Sequence, residues 1–336
     1  MIKILFLVET GHGMGHIIRC INLARSFKKE ANVAPFFLTI GKQGVDKIHY
    51  SKETIAKNLS KEIIKDKVSK FNPDILIIDI LDIRSPIPEI LTQKDVMTVT
   101  IFDFLLNEAI SSDIIINPNI DMIDYESSGS ECLLGPRYMI LGDCFRKNRG
   151  DIKEKVGPVM ISMGGSDPRD YTSSAIEALK DSNFKVNVVA GALAKNKEKV
   201  EHKISQFNNF SFQSDVTNEN MCRLMLKTDI LLSTAGNTMY EAASLGLPNI
   251  VFCNHQRHNA IATSFENRGV ALNLGIEPET NRIKNAINSL ANDFSRRKNM
   301  GFLGKQLVDG KGCERITRFI LMQYNRQMKN RGVAFK

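Results

Sequence analysis

The chain has 336 residues, 43% hydrophobic and 24% charged, the balance of a soluble globular protein long enough for two domains. No apolar run approaches the ~18 residues of a membrane span, so stable membrane insertion is not expected. A net charge of +8 favours anionic partners, but 295-SRRK-298 and 326-RQMKNR-331 lack interleaved aromatics; they read as solvated faces, and no nucleic-acid partner is expected.

In chain order, 2-IKILFLV-8 is the first buried strand, too short for a signal peptide. It runs into 11-GHGMGH-16 and then into a helical stripe of Ile17, Cys20, Ile21, Ala24 and Phe27. Gly13-x-Gly15 lacks the third glycine and the acidic residue of a dinucleotide fingerprint. His16 stands instead at a helix start, where the dipole favours a neutral imidazole that can take a proton from water or a hydroxyl. A capping or core histidine is the bland alternative.

Further apolar runs follow at 35–40, 74–80, 97–102 and 113–117. A charge-rich stretch at 135–158 precedes a second series at 158–162, 186–190, 229–233 and 249–253, with helical spacing between the runs. Continuous apolar strands alternating with amphipathic helices predict α/β architecture with parallel sheets. Two Rossmann-like domains are expected, 1–150 and 151–336, facing a central cleft, with a last helix over 311–330 in the second.

Three loops of the second series could hold a ligand. In 163-MGGSDP-168, Gly164 and Gly165 let backbone amides approach an anion, with Ser166 or Asp167 capping a helix whose first turn takes Pro168. The alternative is a plain strand-to-helix turn. In 233-STAGNTMYEAASLGLP-248, Glu241 either closes a capping box with Thr238 or accepts two ribose hydroxyls. In 254-NHQRHNA-260 the density of hydrogen-bonding side chains favours a ligand-facing loop at a strand's carboxyl end.

Six cysteines, at 20, 132, 144, 222, 253 and 313, form no CxxC pair, which fits a reducing, cytoplasmic setting. Cys253-x-His255-x-x-His258 lacks a fourth ligand, so no metal is expected.

Together GMGHIIRCINLA (13–24), LLGPRYMIL (133–141), MGGSDP (163–168), STAGNTMYEAASLGLP (233–248) and DGKGCERI (309–316) resemble the UDP-sugar hydrolases of pseudaminic acid biosynthesis. These enzymes have glycosyltransferase-like GT-B architecture and spore-coat polysaccharide relatives. They cleave a UDP-linked diacetamido sugar to UDP and free sugar. The resemblance implies no metal or other cofactor and a UDP-sugar as the partner. It makes His16 the residue that orients or activates water. It lays Gly164, Gly165, Ser166 and Asn237 against the diphosphate and Glu241 on the ribose. Gly13, Gly15, His255, Gln256 and Asn259 would line the substrate. The chain departs from the family's pattern at Glu9, Ile80, Leu81 and Phe104, in the half expected to hold the sugar. Three readings therefore stand: a hydrolase, a transferase on the same scaffold, and a nucleotide-sugar-binding protein without catalysis.

Overall fold

The computed structural model describes residues 1–10, 14–55, 61–80, 96–103, 112–122, 129–147 and 151–332. The expected α/β architecture is present as two parallel sheets, each in a compact unit of its own.

In the first unit β1 (Ile2–Glu9) leads to α1 (Gly15–Glu30), β2 (Val33–Ile40), β3 (Ser51–Ile55) and α2 (Lys61–Phe71). Strands β4 (Ile75–Asp79), β5 (Met97–Ile101), β6 (Ile114–Asn117) and β7 (Glu131–Leu134) follow. Their spatial order is β3-β2-β1-β4-β5-β6-β7. The winding thus reverses between β1 and β4, where open α/β sheets leave a crevice at the strands' carboxyl ends. Ile4, Phe6 and Val8 of β1 pack into the layer of α1, whereas Leu5 and Leu7 enter the opposite layer with Val68 of α2. Burial on both faces explains an apolar run without alternation.

The second unit runs β8 (Pro158–Ser162), α3 (Tyr171–Leu179), β9 (Lys185–Ala190), α4 (Lys197–Ile204), β10 (Phe210–Ser214), α5 (Asn218–Leu226) and β11 (Ile230–Thr234). It continues with α6 (Asn237–Leu245), β12 (Asn249–Phe252), α7 (Gln256–Asn267), β13 (Leu272–Asn273), α8 (Thr280–Asn292) and α9 (Phe294–Leu307). The order β10-β9-β8-β11-β12-β13 reverses between β8 and β11. Among the described residues no helix is long and apolar enough to cross a membrane.

The units divide differently from the expected 1–150 and 151–336. The first comprises Met1–Leu141 with Lys311–Lys336, the second Gly142–Gly310. The last helix, α10 (Gly312–Asn330), therefore belongs to the first unit. Its Ile316, Ile320, Leu321 and Tyr324 share a core with Ile17, Ala24 and Phe27 of α1. Ser26 Oγ meets Thr317 Oγ1 at 3.0 Å, and Arg318 pairs with Glu30 at 3.0 Å. A Cβ at Gly312 would lie 2.1 Å from the Met139 carbonyl oxygen, so only glycine permits this approach.

The basic run 295–298 is not wholly solvated either. Arg297 is fully buried and donates to the carbonyls of Leu290 (2.8 Å), Ala291 (2.6 Å), Lys153 (3.0 Å) and Glu154 (2.6 Å). It thus closes the carboxyl end of α8 and pins the charged stretch that leads into β8. Because truncation strands several buried acceptors, Arg297→Met should lower unfolding free energy by about 3 kcal/mol or more, measured by urea denaturation.

Candidate active site

The first unit gathers a charged cluster where its sheet reverses. His16 and Arg19, three residues apart near the start of α1, share one helix face. Gly15 opens that helix, while Gly13 lies outside the described residues. Asp79 ends β4 in register with Val8 of β1, and Asp103 lies just beyond β5. His16 Nδ1 is 2.6 Å from Asp79 Oδ1. Arg19 grips the same carboxylate with its fork, Nε to Oδ2 at 2.6 Å and Nη2 to Oδ1 at 2.5 Å. Its Nη1 donates to both Asp103 oxygens, at 2.7 and 2.9 Å, and the Cys20 thiol donates to Asp79 Oδ2 at 3.3 Å.

Burial pushes the Asp79 carboxyl up, but Arg19 and then His16 outweigh it and hold the group below the usual carboxylate range. Burial likewise opposes the Arg19 charge, yet Asp103 and Asp79 raise its affinity for the proton. A nitrogen and a carboxylate oxygen 2.6 Å apart need a hydrogen between them. With Asp79 ionised, that hydrogen sits on Nδ1, and in the neutral imidazole Nε2 is then the acceptor. The His16 side chain is 14% exposed. This is the arrangement of a general base steadied by an acid.

In the second unit the loops after β8 and β11 stand side by side at the reversal. A Cβ on Gly164 (φ +80°) would lie 3.2 Å from Thr234 Oγ1. The helix after β8 starts later than expected, at Tyr171, and Pro168 precedes it. Its first amides are already occupied: the Asp167 carboxylate accepts from Tyr171 N at 2.9 Å and Thr172 N at 3.0 Å. Ser166 therefore does not cap this helix, and its dipole faces a carboxylate of the chain itself. Gly165 and Ser166 are exposed in the loop ahead of it.

The start of α6 is different. Its N-cap is Gly236 and no side chain caps it, leaving amides for an anion. Neither Gly165 nor Gly236 has a positive φ, and a Cβ on either would meet nothing within 4 Å. Neither strain nor crowding requires glycine at these two places. Asn237 is exposed at the first turn, and Glu241 lies one turn on. Thr238 is inside the helix rather than at its cap, so the capping-box reading of Glu241 fails. Burial, with Cys222 nearby, pushes the Glu241 carboxyl up to about 7.

At the start of α7, His255 is the cap, its Nδ1 accepting from His258 N at 3.4 Å. The two rings lie 3.9 Å apart, and burial, then His255 and Arg257, draw His258 down to about 4. Among the described residues Asn254 Oδ1 and His258 Nδ1 are buried with no hydrogen-bond partner. Gln256 is exposed on the first turn. Asn259 is committed to structure, its Oδ1 accepting from Asn273 Nδ2 at 3.0 Å. The Cys253 thiol also turns to Asn273, and among the described residues no three His, Cys, Asp or Glu side chains converge as a metal site.

A native carboxyl that titrates at about 7 makes the unfolded chain release its proton first as pH rises from about 4.5, so stability falls across that window. Glu241→Gln should therefore stabilise the protein at pH 8 by roughly 2 kcal/mol and leave it unchanged at pH 4, read from thermal or urea unfolding at the two pH values.

The UDP-N-acetylglucosamine 2-epimerase family matches residues 164–321, a span that leaves out His16, Arg19, Asp79 and Asp103. The spore coat polysaccharide biosynthesis protein SpsG of Bacillus subtilis is 24% identical over 331 residues, covering 94% of this chain and 96% of that protein. MurG of Acinetobacter baumannii superposes with a TM-score of 0.73 at 11% identity, over 96% of this chain and all of that one. The UDP-GlcNAc 2-epimerase of Neisseria meningitidis, solved with UDP-GlcNAc bound, gives 0.68 at 13% identity over 96% of this chain and 100% of that one. In sequence the chain resembles SpsG along nearly its whole length, and its two doubly wound sheets have the fold of the GT-B glycosyltransferases.

Proposed function

We propose that the chain hydrolyses a UDP-linked amino sugar at its anomeric carbon, releasing UDP and free sugar, in nonulosonic (pseudaminic) acid or surface polysaccharide biosynthesis. The observation that supports this reading is the His16–Asp79 pair at the reversal of the first sheet, 2.6 Å apart, in which the imidazole is the base of the proposal. The likeness to SpsG supplies the setting in polysaccharide biosynthesis, and the epimerase-family match supports a nucleotide-sugar grip in the second unit.

In this mechanism His16 Nε2 takes a proton from water as that water attacks the anomeric carbon opposite the diphosphate, and the bond to UDP breaks with inversion. UDP is a good leaving group, so the protein's share is one base and donors for the charge that develops on the diphosphate. The uncapped start of α6 and the amides of Gly164, Gly165 and Ser166 are those donors. Asn237 sits beside them, and the Glu241 carboxylate accepts from the ribose hydroxyls. Gly15, His255, Gln256 and Asn259 line the substrate, and Gly13 belongs to the same assignment. The loss of the capping-box role frees Glu241 for this use.

A transferase would use the same base on an acceptor hydroxyl, and the likeness in fold to MurG keeps that reading in view. Incubation with UDP-amino sugars and no acceptor separates the two. Release of UDP and reducing sugar supports hydrolysis; turnover that requires an added hydroxyl compound supports transfer. UDP binding without turnover under either condition would sink both and leave a binding protein. His16→Ala should lower turnover by about 100-fold, the scale of a lost acid–base group, with UDP affinity retained in calorimetry. Since ribose hydroxyls donate, the ionised carboxylate is the better acceptor. UDP should bind more tightly at pH 8 than at pH 6, and Glu241→Gln should remove that difference.

A further inference from the structure

The base in this reading is only as good as its tautomer, and the tautomer depends on a residue that touches no substrate. We propose that Arg19, anchored by Asp103, is a positioning residue that selects the form of His16 with hydrogen on Nδ1, so that Nε2 stays a proton acceptor. The inference rests on His16 as the base and deepens that assignment.

Asp79 is wholly buried. A carboxylate so placed takes up a proton unless a cation faces it. The facing cation is Arg19, whose Nε and Nη2 span both oxygens, while Cys20 contributes only a thiol. Burial keeps that thiol protonated, so it adds no charge. Asp103, 31% exposed, takes Nη1 and keeps the guanidinium plane aimed at Asp79.

Removing the guanidinium favours neutral Asp79. A proton from solvent then occupies the carboxyl, the short contact is kept with the carboxyl donating to Nδ1, and the imidazole hydrogen moves to Nε2. That tautomer donates where the reaction needs an acceptor. Arg19 Nη2 also lies 3.0 Å from His16 Nδ1, within hydrogen-bond reach; a guanidinium can only donate, so hydrogen on Nδ1 rules that bond out and leaves Asp79 Oδ1 as the acceptor that both nitrogens share.

Nitrogen-15 NMR of imidazole-labelled protein at pH 8, without nucleotide, reads the tautomer directly, with the His16 signals identified by their loss in His16→Gln. The wild type should show a protonated Nδ1 and a bare Nε2, and Arg19→Lys and Asp103→Asn should keep that pattern. Arg19→Met should invert it. Because two carboxylates facing a methionine can unfold the site, Arg19→Met/Asp103→Asn, which restores the local charge count, is the second variant and should also invert it. In kinetics the inverted variants should lose about 100-fold in kcat with KM within about twofold, as expected when a proton transfer rather than binding is lost. Hydrogen retained on Nδ1 in either folded variant, or found on Nε2 in the wild type, overturns the proposal. If the spectra invert as expected but wild-type protein turns over no UDP-sugar, the hydrolase reading falls while the role of Arg19 stands.

Discussion

A buried carboxylate must be met by donors, and at Asp79 four hydrogens arrive from three residues of one helix. His16, Arg19 and Cys20 can all reach it because α1 begins directly over the place where the first sheet reverses. The strand supplies the acid, the helix supplies its partners, and register between Val8 and Asp79 fixes the distance. The cost of burying such charge is severe unless every group is paired. That demand sets the phase of α1: a slip of one residue would turn His16 and Arg19 away together.

The second unit follows another plan. Where the first sheet's reversal is filled with paired charge, the second leaves capacity unused: an uncapped helix start, two glycines facing open space, buried polar atoms at Asn254 and His258 with no hydrogen-bond partner among the described residues, and an acid held near neutrality. Each of these costs stability in the free protein. Such costs gather where a ligand is met, because groups already satisfied by the chain have nothing left to offer it.

Much of this was legible in the sequence. The strands read correctly, β1, β2, β4, β5 and β6 in one sheet and β8, β9, β11 and β12 in the other, are those with apolar runs. The four that escaped, β3, β7, β10 and β13, are the outermost strands of their sheets. An edge strand such as Ser51–Ile55 or Phe210–Ser214 meets water along one side, so no continuous apolar run marks it. The loops around His16, Gly164, Asn237 and His255 fall at strand ends, as their glycines and caps suggested, but Arg19, Asp79 and Asp103 were passed over. An arginine within an apolar helical stripe and two apolar strands each closing on an aspartate were the available signals. What ties them together is three-dimensional: 60 positions separate Arg19 from Asp79 and 84 separate it from Asp103. Arg297 was read as solvated for the same reason, since its partners at Lys153 and Glu154 lie far upstream.

The return of α10 to the first unit makes that unit discontinuous in the chain, with all of Gly142–Gly310 inserted before its final helix. During synthesis the inserted unit is complete as a segment well before the interrupted one. The face of α1 that receives Ile316, Ile320 and Tyr324 must wait, bare, for the end of translation. Nascent chains stalled before Gly312 would thus hold a finished second sheet and a first sheet with an uncovered greasy flank, the kind of surface that chaperones shield.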